Sequence, residues 1–408
     1  MRILHTVESY LPLKNGMSEV VRQLSERLVS IGHEVSVVTS YCSSRSEDSI
    51  NGVTIIPFNI EGNYVKGFKG EFCLYKDFLL QNNFDIITNF AAQQWATDIC
   101  IELLPQLKAK KVFVPTGFSG LSNPEYNSYF ENMRTWMKCY DMNVFLSDNY
   151  RDINFARSNH IKNLVLIPNG AAKDEFCVNN QDFNIRKYLN IPDNHKIILH
   201  VGSYTDLKGH DQALEIFLKS SVQNASLIFV GANFNENGRY FTQKLNWFKN
   251  FSFTDIINRR SLKSLFLFLK NICNKRSGNV FTVSLSRSQT VETFKDADLF
   301  LFPSMIECSP IVLFEAMASK TPFLVTDVGN ATEIIEWSKG GELLPTAIDE
   351  SGFSHALIEP SAKLLSNIIE DQVKLNTMSF NGHSRWLSDF TWENIVVRYE
   401  MMYKELLK

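Results

Sequence analysis

Short apolar runs alternate with stretches of helical periodicity over most of this 408-residue chain. The beginning of the chain shows the repeating unit. An apolar run, Ile3–Val7, precedes Asn15-Gly16, and apolar residues then recur at helical spacing over residues 20–31. Ser18 is the candidate N-cap of this helix. A run rich in β-branched residues, Glu34–Ser40, comes next, so the pattern predicts strand, glycine-containing turn, helix and strand.

The same alternation continues along the chain in two series. Candidate strands of the first series are Ile3–Val7, Glu34–Ser40, Val53–Phe58, Asp85–Asn89, Lys111–Pro115, Asn143–Ser147 and Leu164–Ile167, and those of the second are Lys196–Ser203, Ser226–Ala232, Asn279–Leu285, Asp298–Ser304 and Pro322–Val328. Strands that alternate with helices indicate parallel sheets covered by helices on both faces. The sequence therefore predicts an α/β protein of two doubly wound domains, joined near residues 167–192. Residues 390–407 predict a C-terminal amphipathic helix with Thr391 as its N-cap.

Composition and charge narrow the class of protein. With 44% hydrophobic and 21% charged residues, the chain is typical of a soluble globular protein and unlike a disordered or collagen-like one. A formal net charge of -3 gives no argument for a nucleic-acid partner, and we expect none.

Residues 239–276 depart from this balance, because they carry nine Lys and Arg against a single acid, Asp255, and many aromatic residues. This mixture suits an anionic membrane surface or a nucleic-acid groove. The alternative is one or two packed helices with a solvated basic face.

The cysteines and the apolar runs indicate a compartment. The seven cysteines, at 42, 73, 100, 139, 177, 273 and 308, are odd in number and form no C-x-x-C pair. A disulfide framework or a zinc site is therefore not expected, and a reduced, cytoplasmic compartment is. No run reaches the ~18–20 apolar residues of a membrane span. The start MRILHTVESY has one basic residue and no long apolar region, so we expect no signal peptide.

The stretch SMIECSPIVLFEAMASKTPF (304–323) holds the most informative side chains. It follows a predicted strand, and Ser309-Pro310 is a strong helix-start signal. Ligands of open α/β sheets bind beyond the carboxyl ends of strands, where a helix N-terminus offers free N–H groups. Glu307 in the loop can accept hydrogen bonds from sugar or ribose hydroxyls, and Glu315 lies early in the helix. The alternative is two surface glutamates near a helix start, where negative charge is mildly favourable.

Two further positions are candidates for ligand binding. Lys208 precedes Gly209 at the start of a predicted helix, where a cation is unfavourable unless an anion such as a diphosphate offsets it. A solvated lysine held by Asp206 is the alternative. At the end of the first strand, Asn15 and Gly16 form a turn in which glycine lets the backbone approach a ligand closely. An ordinary strand–helix turn explains Asn15 and Gly16 equally well.

These motifs, in this order and spacing, resemble glycosyltransferase family 4. Glu307 and Glu315, the latter beginning Glu315-Ala316-Met317-Ala318, resemble the paired-glutamate signature of the family. Other segments that resemble family motifs are ERLVSIGHEVSVVTS (26–40), LIPNGA (166–171), HVGSYTDLKGHDQALEIF (200–217), DADLFLFPS (296–304) and the C-terminal helix. The resemblance covers most of the chain.

The resemblance implies a fold and a reaction. It implies the GT-B fold, with two Rossmann-like domains and an interdomain cleft. Residues 1–168 plus 388–408 would form the acceptor domain with the returning C-terminal helix, and residues 169–387 the donor domain. The expected activity is metal-independent, retaining transfer of a sugar from a UDP- or GDP-sugar, without a cofactor, to a glycan or lipid-linked acceptor. Bacterial surface polysaccharide synthesis at the inner face of the membrane, contacted through 239–276, is the expected setting.

The resemblance also assigns roles to residues. Glu307 would contact the donor sugar hydroxyls, Glu315 the ribose, and Lys208 the leaving diphosphate. The amides of Ser309 and Ile311 are candidates for sugar or phosphate contacts, whereas Pro310 between them has no N–H. The donor-binding set is completed by Gly202, Ser203, Asn15 and Gly16.

Two positions depart from the family pattern. Ser203 stands where the family has an arginine, and Pro115, Thr116 and Gly117 stand where it has a histidine. Thr116 and Gly117 are therefore only candidates for contact with donor or acceptor, since an alcohol is a poor proton carrier near neutral pH. These departures keep open a catalytically silent binding subunit, and a nucleotide-sugar epimerase is a further alternative. A phosphorylase would commonly need a pyridoxal lysine, for which no motif stands out.

Overall fold

Two groups of elements are distinguished by their backbone contacts. The structure, a computed structural model, describes residues 1–13, 15–178, 183–231 and 279–408. Contacts divide the chain into unit 1, formed by Met1–Lys173, Glu307–Ile311 and Ser388–Lys408, and unit 2, formed by Asp174–Ile306 and Val312–Leu387.

The basic segment predicted to contact a membrane, residues 239–276, lies outside the described residues. Within the described part of the chain, no helix combines the length and the apolar character needed to cross a membrane.

Unit 1 is built on an 8-stranded sheet. Its strands are β1 (Arg2–Thr6), β2 (Glu34–Ser40), β3 (Ser49–Ile50), β4 (Val53–Phe58), β7 (Ile86–Phe90), β8 (Lys110–Val114), β9 (Met142–Phe145) and β10 (Leu164–Leu166), and β5 (Ile60–Asn63) and β6 (Gly67–Gly70) form a separate hairpin. The order is β10-β9-β8-β7-β1-β2-β4-β3, and every pair is parallel except β3 with β4. This arrangement confirms the predicted parallel sheet.

Helices cover both faces of this sheet. They are α1 (Gly16–Ser30), α2 (Phe72–Gln81), α3 (Trp95–Ile101), α4 (Asn127–Cys139), α5 (Arg151–Ser158) and α14 (Trp392–Leu406). Successive strand residues point to opposite faces, so Ile3 packs in the cluster that contains Leu24 of α1, whereas Leu4 packs in the cluster that contains Ile99 of α3. Both faces of β1 are therefore buried, which explains why the adjacent residues Ile3 and Leu4 are both apolar.

The first helix begins differently from the prediction. Its N-cap is Asn15, not Ser18: the Asn15 side chain accepts from the Ser18 backbone N–H at 2.8 Å, and the Ser18 hydroxyl accepts from the Asn15 N–H at 2.8 Å. Ser18 is thus the third helical residue of a capping box. Both residue types cap helices well, and the reciprocal pair uses both of them.

The C-terminal helix confirms its prediction. Helix α14 begins after Thr391, whose hydroxyl accepts from the Asn394 N–H at 3.2 Å. Tyr403 is buried and its hydroxyl lies 2.7 Å from the hydroxyl of Thr88 in β7. The face of α14 that carries the predicted apolar residues is the face that packs against the rest of unit 1.

Unit 2 is built on a 6-stranded, fully parallel sheet. Its strands are β11 (Lys196–Val201), β12 (Ala225–Val230), β13 (Val280–Val283), β14 (Leu299–Phe302), β15 (Phe323–Val325) and β16 (Gly341–Leu343), and β17 (Thr346–Ile348) and β18 (Ser354–Ala356) form a separate antiparallel pair. The order is β13-β12-β11-β14-β15-β16, so the chain order reverses between β11 and β14.

Among the described residues between 173 and 389, the helices are α6 (Lys173–Phe176), α7 (Ile185–Leu189), α8 (His210–Lys219), α9 (Arg287–Asp296), α10 (Ile311–Ala318), α11 (Ala331–Ser338), α12 (Ile358–Glu370) and α13 (Gln372–Asp389), with a 3₁₀ turn at Asp206–Lys208. The sequence predicts that Ser309 is the N-cap of α10 and that Pro310 is its first residue. In the structure, Pro310 lies one position earlier, directly before the helix. One-residue differences of this kind are common at helix ends.

The described structure differs from the predicted division in two respects that concern the site. Unit 1 extends beyond residue 168 to Lys173, because the Ala171 N–H donates to the Phe390 carbonyl at 3.0 Å. The segment Glu307–Ile311 also groups with unit 1. The sequence predicts that this segment belongs with the second series of strands, because its neighbours in the chain belong to that series.

Candidate functional site

Two loops follow the neighbouring strands β11 and β14 of unit 2. The strands β12 and β13 lie on one side of this pair, and β15 and β16 lie on the other. In doubly wound sheets, ligands bind beyond the carboxyl ends of the two strands at which the order reverses. The loops at this point are residues 202–209 and 303–306, so the topology places the predicted phosphate loop where a ligand is expected.

Gly209 lets these two loops touch. Its φ is +71°, and a Cβ at this position would lie 1.8 Å from the Pro303 carbonyl oxygen. No other residue type fits there without displacing the backbone. The contact is fastened by the Met305 N–H, which donates to the Leu207 carbonyl at 2.8 Å.

Lys208 lies in the first of these two loops, next to Gly209. Its Nζ is 5.9 Å from the centroid of the Phe302 ring, at the end of β14. A Cβ on Gly202 would come within 3.4 Å of the Lys208 Cβ, so the structure brings these two predicted residues together. Helix α8 begins at His210, and its first N–H groups give this end a partial positive charge. A cation and a helix N-terminus side by side form a site for an anion.

Ser203, the next predicted donor-binding residue, is exposed in the same loop. Its carbonyl accepts from the Thr205 N–H at 2.7 Å and helps to turn the loop. The hydroxyl cannot supply the positive charge of the arginine that the family has here. The positive charge on this loop therefore comes from Lys208.

Two buried histidines, which were not predicted from the sequence, lie at the two ends of the 202–209 loop. The rings of His200 and His210 are 4.5 Å apart. Burial lowers the pKa of His210 to about 4 and that of His200 well below its usual value, so both rings are neutral near pH 7. His200 Nδ1 donates to the Leu301 carbonyl at 2.9 Å, which leaves Nε2 as an acceptor. Within the described residues, this buried Nε2 has no hydrogen-bond partner.

Glu315 is not a surface residue. It lies on α10, is 4% exposed, and its Oε1 pairs with the Arg287 Nη1 at 2.6 Å. The same guanidinium donates from Nη2 and Nε to Glu175 Oε2, at 2.6 and 3.0 Å. A buried carboxylate of this kind requires a partner, and Arg287 supplies one. The structure thus excludes the alternative that Glu315 is an ordinary solvated glutamate.

Glu307 and its neighbours belong to unit 1. Glu307 is half-buried, as is the adjacent Cys308. Burial raises the pKa of Tyr150, and the negative charge of Glu307 adds to that increase, so the carboxylate lies within electrostatic reach of the phenol. The side chain of Cys308 lies against Gly117. Within unit 1, the structure therefore brings Glu307 near the loop that follows β8.

Ser309 connects this segment to the Pro168-Asn169-Gly170 turn. The Asn169 Nδ2 donates to the Ser309 carbonyl at 2.9 Å, and both residues are buried. Pro310 is also buried, and Ile311 is half-buried and 4.0 Å from where a Cβ on Gly16 would lie. The Ser309 hydroxyl oxygen has no hydrogen-bond partner among the described residues.

The loop after β8 is strained. Thr116, Gly117 and Phe118 have φ angles of 59°, 99° and 49°. For a β-branched residue such as Thr116 this conformation is an outlier, and strained backbone of this kind clusters at functional sites. A Cβ on Gly117 would lie 2.8 Å from Tyr150 Cε1 and 3.1 Å from Cys308 Cβ, so glycine is required here.

Asp152 holds this loop. Its Oδ2 accepts from the Gly117 N–H at 2.8 Å, and its Oδ1 accepts from the Ile153 N–H at 2.9 Å. The side chain is buried, and burial raises the pKa of the carboxyl to about 6. Asp152 is a positioning residue for the loop that carries Thr116 and Gly117. The sequence analysis missed it because an acidic residue in the first turn of a helix is common on the surface.

Asn15 and Gly16 have different functions in the fold. The side chain of Asn15 is occupied by the capping box. Gly16 is the first residue of α1, and a Cβ there would meet only Ile311 Cδ1, at 4.0 Å. Packing therefore does not require glycine at position 16, whereas it does at 117 and 209.

Arg287 is a further functional residue that was not predicted from the sequence. It follows the N-cap Ser286 directly after β13, at the same carboxyl edge as the Lys208 loop. A basic residue at the start of a helix after a buried strand is the signal that marks it. That signal does not reveal its partners, since Glu175 and Glu315 are distant in sequence.

The chain is similar to known glycosyltransferases. Residues 181–367 match the model of a family described as glycosyl transferases group 1. An uncharacterized glycosyltransferase of Methanocaldococcus jannaschii is 24% identical over 364 residues, which cover 84% of this chain and 84% of the relative.

Solved structures share the fold. A sucrose-phosphate synthase from Thermosynechococcus elongatus matches with a TM-score of 0.74 and 17% identity, over 99% of this chain and 98% of that one. HepE from Anabaena, solved in complex with UDP and glucose, matches with a TM-score of 0.70 and 14% identity, over 99% and 100%. These likenesses show that the chain has the GT-B fold. Together, the family match and the sequence relative support a glycosyltransferase activity.

The raised pKa of Asp152 predicts a pH-dependent stability. The native carboxyl keeps its proton up to about pH 6, whereas an unfolded one loses it near pH 4. The stabilising contribution is therefore complete below pH 4 and is lost as the pH rises through 6, by on the order of 3 kcal/mol. We expect the free energy of unfolding of the wild type, minus that of Asp152→Asn, to fall as the pH rises from 4.5 to 7.5 in urea titrations. A difference that does not change with pH would contradict the burial of this carboxyl.

Proposed function

We propose that this chain is a retaining glycosyltransferase of family 4 that transfers a sugar from a nucleotide-sugar donor to a glycan or lipid-linked acceptor. The observation that carries the proposal is the position of Lys208, beside the first turn of α8 at the point where the strand order of unit 2 reverses. A nucleoside diphosphate is the anion that the proposed reaction releases, and UDP is present in the HepE structure with the same fold.

Lys208 is proposed to stabilise the leaving diphosphate. Its ammonium and the N–H groups that begin α8 are aimed at negative charge before the reaction starts, which is electrostatic preorganisation. The neutral state of His200 and His210 follows from their burial, so they contribute packing rather than charge to this site. We propose that no metal ion is required, because these groups already stabilise the developing charge.

The two glutamates are proposed to hold the two sugars of the donor. Glu315, buried and oriented by Arg287, would accept hydrogen bonds from the ribose hydroxyls. Glu307 would accept from hydroxyls of the transferred sugar. The Ser309 and Ile311 amides would contact sugar or phosphate, whereas Pro310 has no N–H to donate. In this assignment Glu307 positions the sugar and is not a nucleophile.

The acceptor is proposed to bind to unit 1. The strained loop at Thr116 and Gly117 is the candidate contact, since its backbone has a rare conformation and donates a hydrogen bond to Asp152. We propose front-face attack in which the leaving phosphate takes the acceptor proton. This route needs no basic side chain at the position where the family has a histidine, and it leads to retention of the anomeric configuration.

Lys208 provides the direct test. We expect one of UDP, GDP or ADP, or the corresponding nucleotide sugar, to raise the melting temperature of the wild type; a ligand at 100 times its Kd adds roughly 2.7 kcal/mol. Lys208→Ala should weaken nucleoside diphosphate binding about 10- to 100-fold, since a hydrogen bond to a charged group contributes roughly 1.5–3 kcal/mol. Binding of the matching nucleoside, which has no phosphate, should not change.

Lys219→Ala is the matched control for this test. Lys219 lies at the other end of the same helix, where it pairs with Glu359, so its loss should leave nucleotide binding unchanged. If the folded wild type responds to no nucleotide or nucleotide sugar, the proposal is wrong. The alternative of a catalytically silent binding subunit, which Ser203 and the absent histidine favour, would then be preferred.

A cytoplasmic enzyme of bacterial surface polysaccharide synthesis, bound peripherally to the inner face of the membrane, is the proposed setting. The support is the charge of residues 239–276, nine Lys and Arg against one acid, interleaved with aromatic residues. We expect the protein to sediment with vesicles that contain anionic lipid, and to lose this binding when these Lys and Arg are replaced by Ser. Sedimentation that is unaffected by the replacement would remove the membrane proposal and leave the transferase proposal intact.

A further inference from the structure

Arg287 joins three elements of unit 2. It is the first residue of α9, and its guanidinium contacts Glu315 on α10 and Glu175 on α6. The Nη1 edge donates to Glu315 Oε1 at 2.6 Å, while Nη2 and Nε donate to Glu175 Oε2 at 2.6 and 3.0 Å. One arginine thus uses two different edges of its rigid fork for two carboxylates.

The three side chains are not equally buried. That of Glu315 is 6% exposed, whereas those of Glu175 and Arg287 are 22% and 33% exposed. The buried carboxylate depends on the guanidinium for its charge partner, because little solvent reaches it. The more exposed Glu175 contributes less to charge balance. Its role is geometric: it fixes the fork so that Nη1 is directed at Glu315.

Packing fixes the same group a second time. The central carbon of the guanidinium lies 5.6 Å from the centroid of the Phe176 ring, next to Glu175 in the chain. A cation at this distance from a ring centroid is attracted to the face of the ring, which favours this position of the guanidinium. A cavity of about 520 Å³ lies along this cluster and is lined by Glu175, Ser286, Arg287 and Ser288, among others. Arg287 therefore contacts Glu175, Glu315 and Phe176 and also lines this cavity.

A carboxylate has about four acceptor positions, and the bond from Arg287 uses one of them on Oε1. That bond restricts the orientation of the Glu315 carboxylate. Hydroxyl donors of a ligand then meet acceptors whose directions are fixed in advance, which lowers the cost of ordering them on binding.

We propose that Arg287 is a positioning residue that orients the Glu315 carboxylate for the ribose hydroxyls of the donor, and that Glu175 orients Arg287. The inference rests on the proposed function, in which Glu315 contacts the ribose. It adds that recognition of the ribose depends on a pair of residues that touch no reacting atom. Arg287 and Glu175 therefore determine how strongly the protein distinguishes a ribonucleotide from a deoxyribonucleotide.

The test compares ribose with deoxyribose. Wild type, Arg287→Gln, Arg287→Lys, Glu175→Gln and Glu315→Gln are titrated by calorimetry with UDP, GDP and ADP and with their 2′-deoxy and 3′-deoxy forms. For the base that binds, the wild type should prefer the ribose form by roughly 10- to 100-fold, as expected for hydroxyl bonds to a charged group. Arg287→Gln should bring the preference close to 1, mainly by weakening the ribose form.

The other variants refine the expected result. Arg287→Lys keeps the charge but not the fork, so it should lose most of the preference as well. Glu175→Gln should lose part of it. Arg287→Gln combined with Glu315→Gln should be no worse than Glu315→Gln alone, because residues that act through one another are non-additive.

The matched control is Arg186→Gln. Arg186 is also a partly buried arginine of unit 2, paired with Asp298 at 3.5 Å, but it lies at the amino end of β11. Its loss should change neither the affinity nor the ribose preference. If Arg287→Gln does not fold, as judged by its thermal unfolding, Arg287→Lys and Glu175→Gln carry the test.

Two results would overturn the inference alone. Equal weakening of the ribose and deoxyribose forms by the Arg287 variants would show a structural role only, and an unchanged preference would show no role. A wild type that binds nucleoside diphosphates without distinguishing ribose would instead remove the ribose contact of Glu315, and the inference with it. A wild type that binds none of them would overturn the proposed function itself, so the wild-type titrations separate these failures.

Discussion

The loops after β11 and β14 can meet because residue 209 has no side chain. A Cβ there would lie 1.8 Å from the Pro303 carbonyl oxygen, well inside any possible contact. That close approach sets the path of residues 202–209, and with it the position of Lys208 beside the end of β14 and the start of α8. The proposed anion site is therefore a consequence of backbone packing at the point where the strand order reverses.

Buried charge is the second constraint on the site. A carboxylate in the position of Glu315 is unfavourable unless a cation accompanies it, and Arg287 supplies that cation from another helix. Asp152 meets the same constraint differently: two backbone N–H groups donate to its oxygens, and burial raises its pKa. The first arrangement fixes a side chain for a ligand, and the second fixes the backbone of a strained loop.

The sequence was sufficient where a pattern is long or local. The apolar runs of the central strands predict both parallel sheets, and the spacing in the last helix predicts its buried face and the cap at Thr391. Lys208 and Gly209 could likewise be predicted, because they are adjacent in the chain and precede the same helix. Short elements such as β5 and β6 were missed, since four residues with glycine and polar side chains carry no clear alternation.

Features that depend on the exact path of the backbone, or on contacts distant in sequence, could not be predicted. Asn15 and Ser18 are both good caps, and only the backbone shows that they share the role. Arg287 pairs with Glu315, and Glu307–Ile311 groups with unit 1. In both cases the residues that come together are distant in sequence, and no local pattern predicts their contact. A crystal structure with a bound nucleoside diphosphate would test the anion site most directly. We expect phosphate oxygens about 3 Å from Lys208 Nζ, over the first turn of α8; a diphosphate bound elsewhere on the protein would contradict this site.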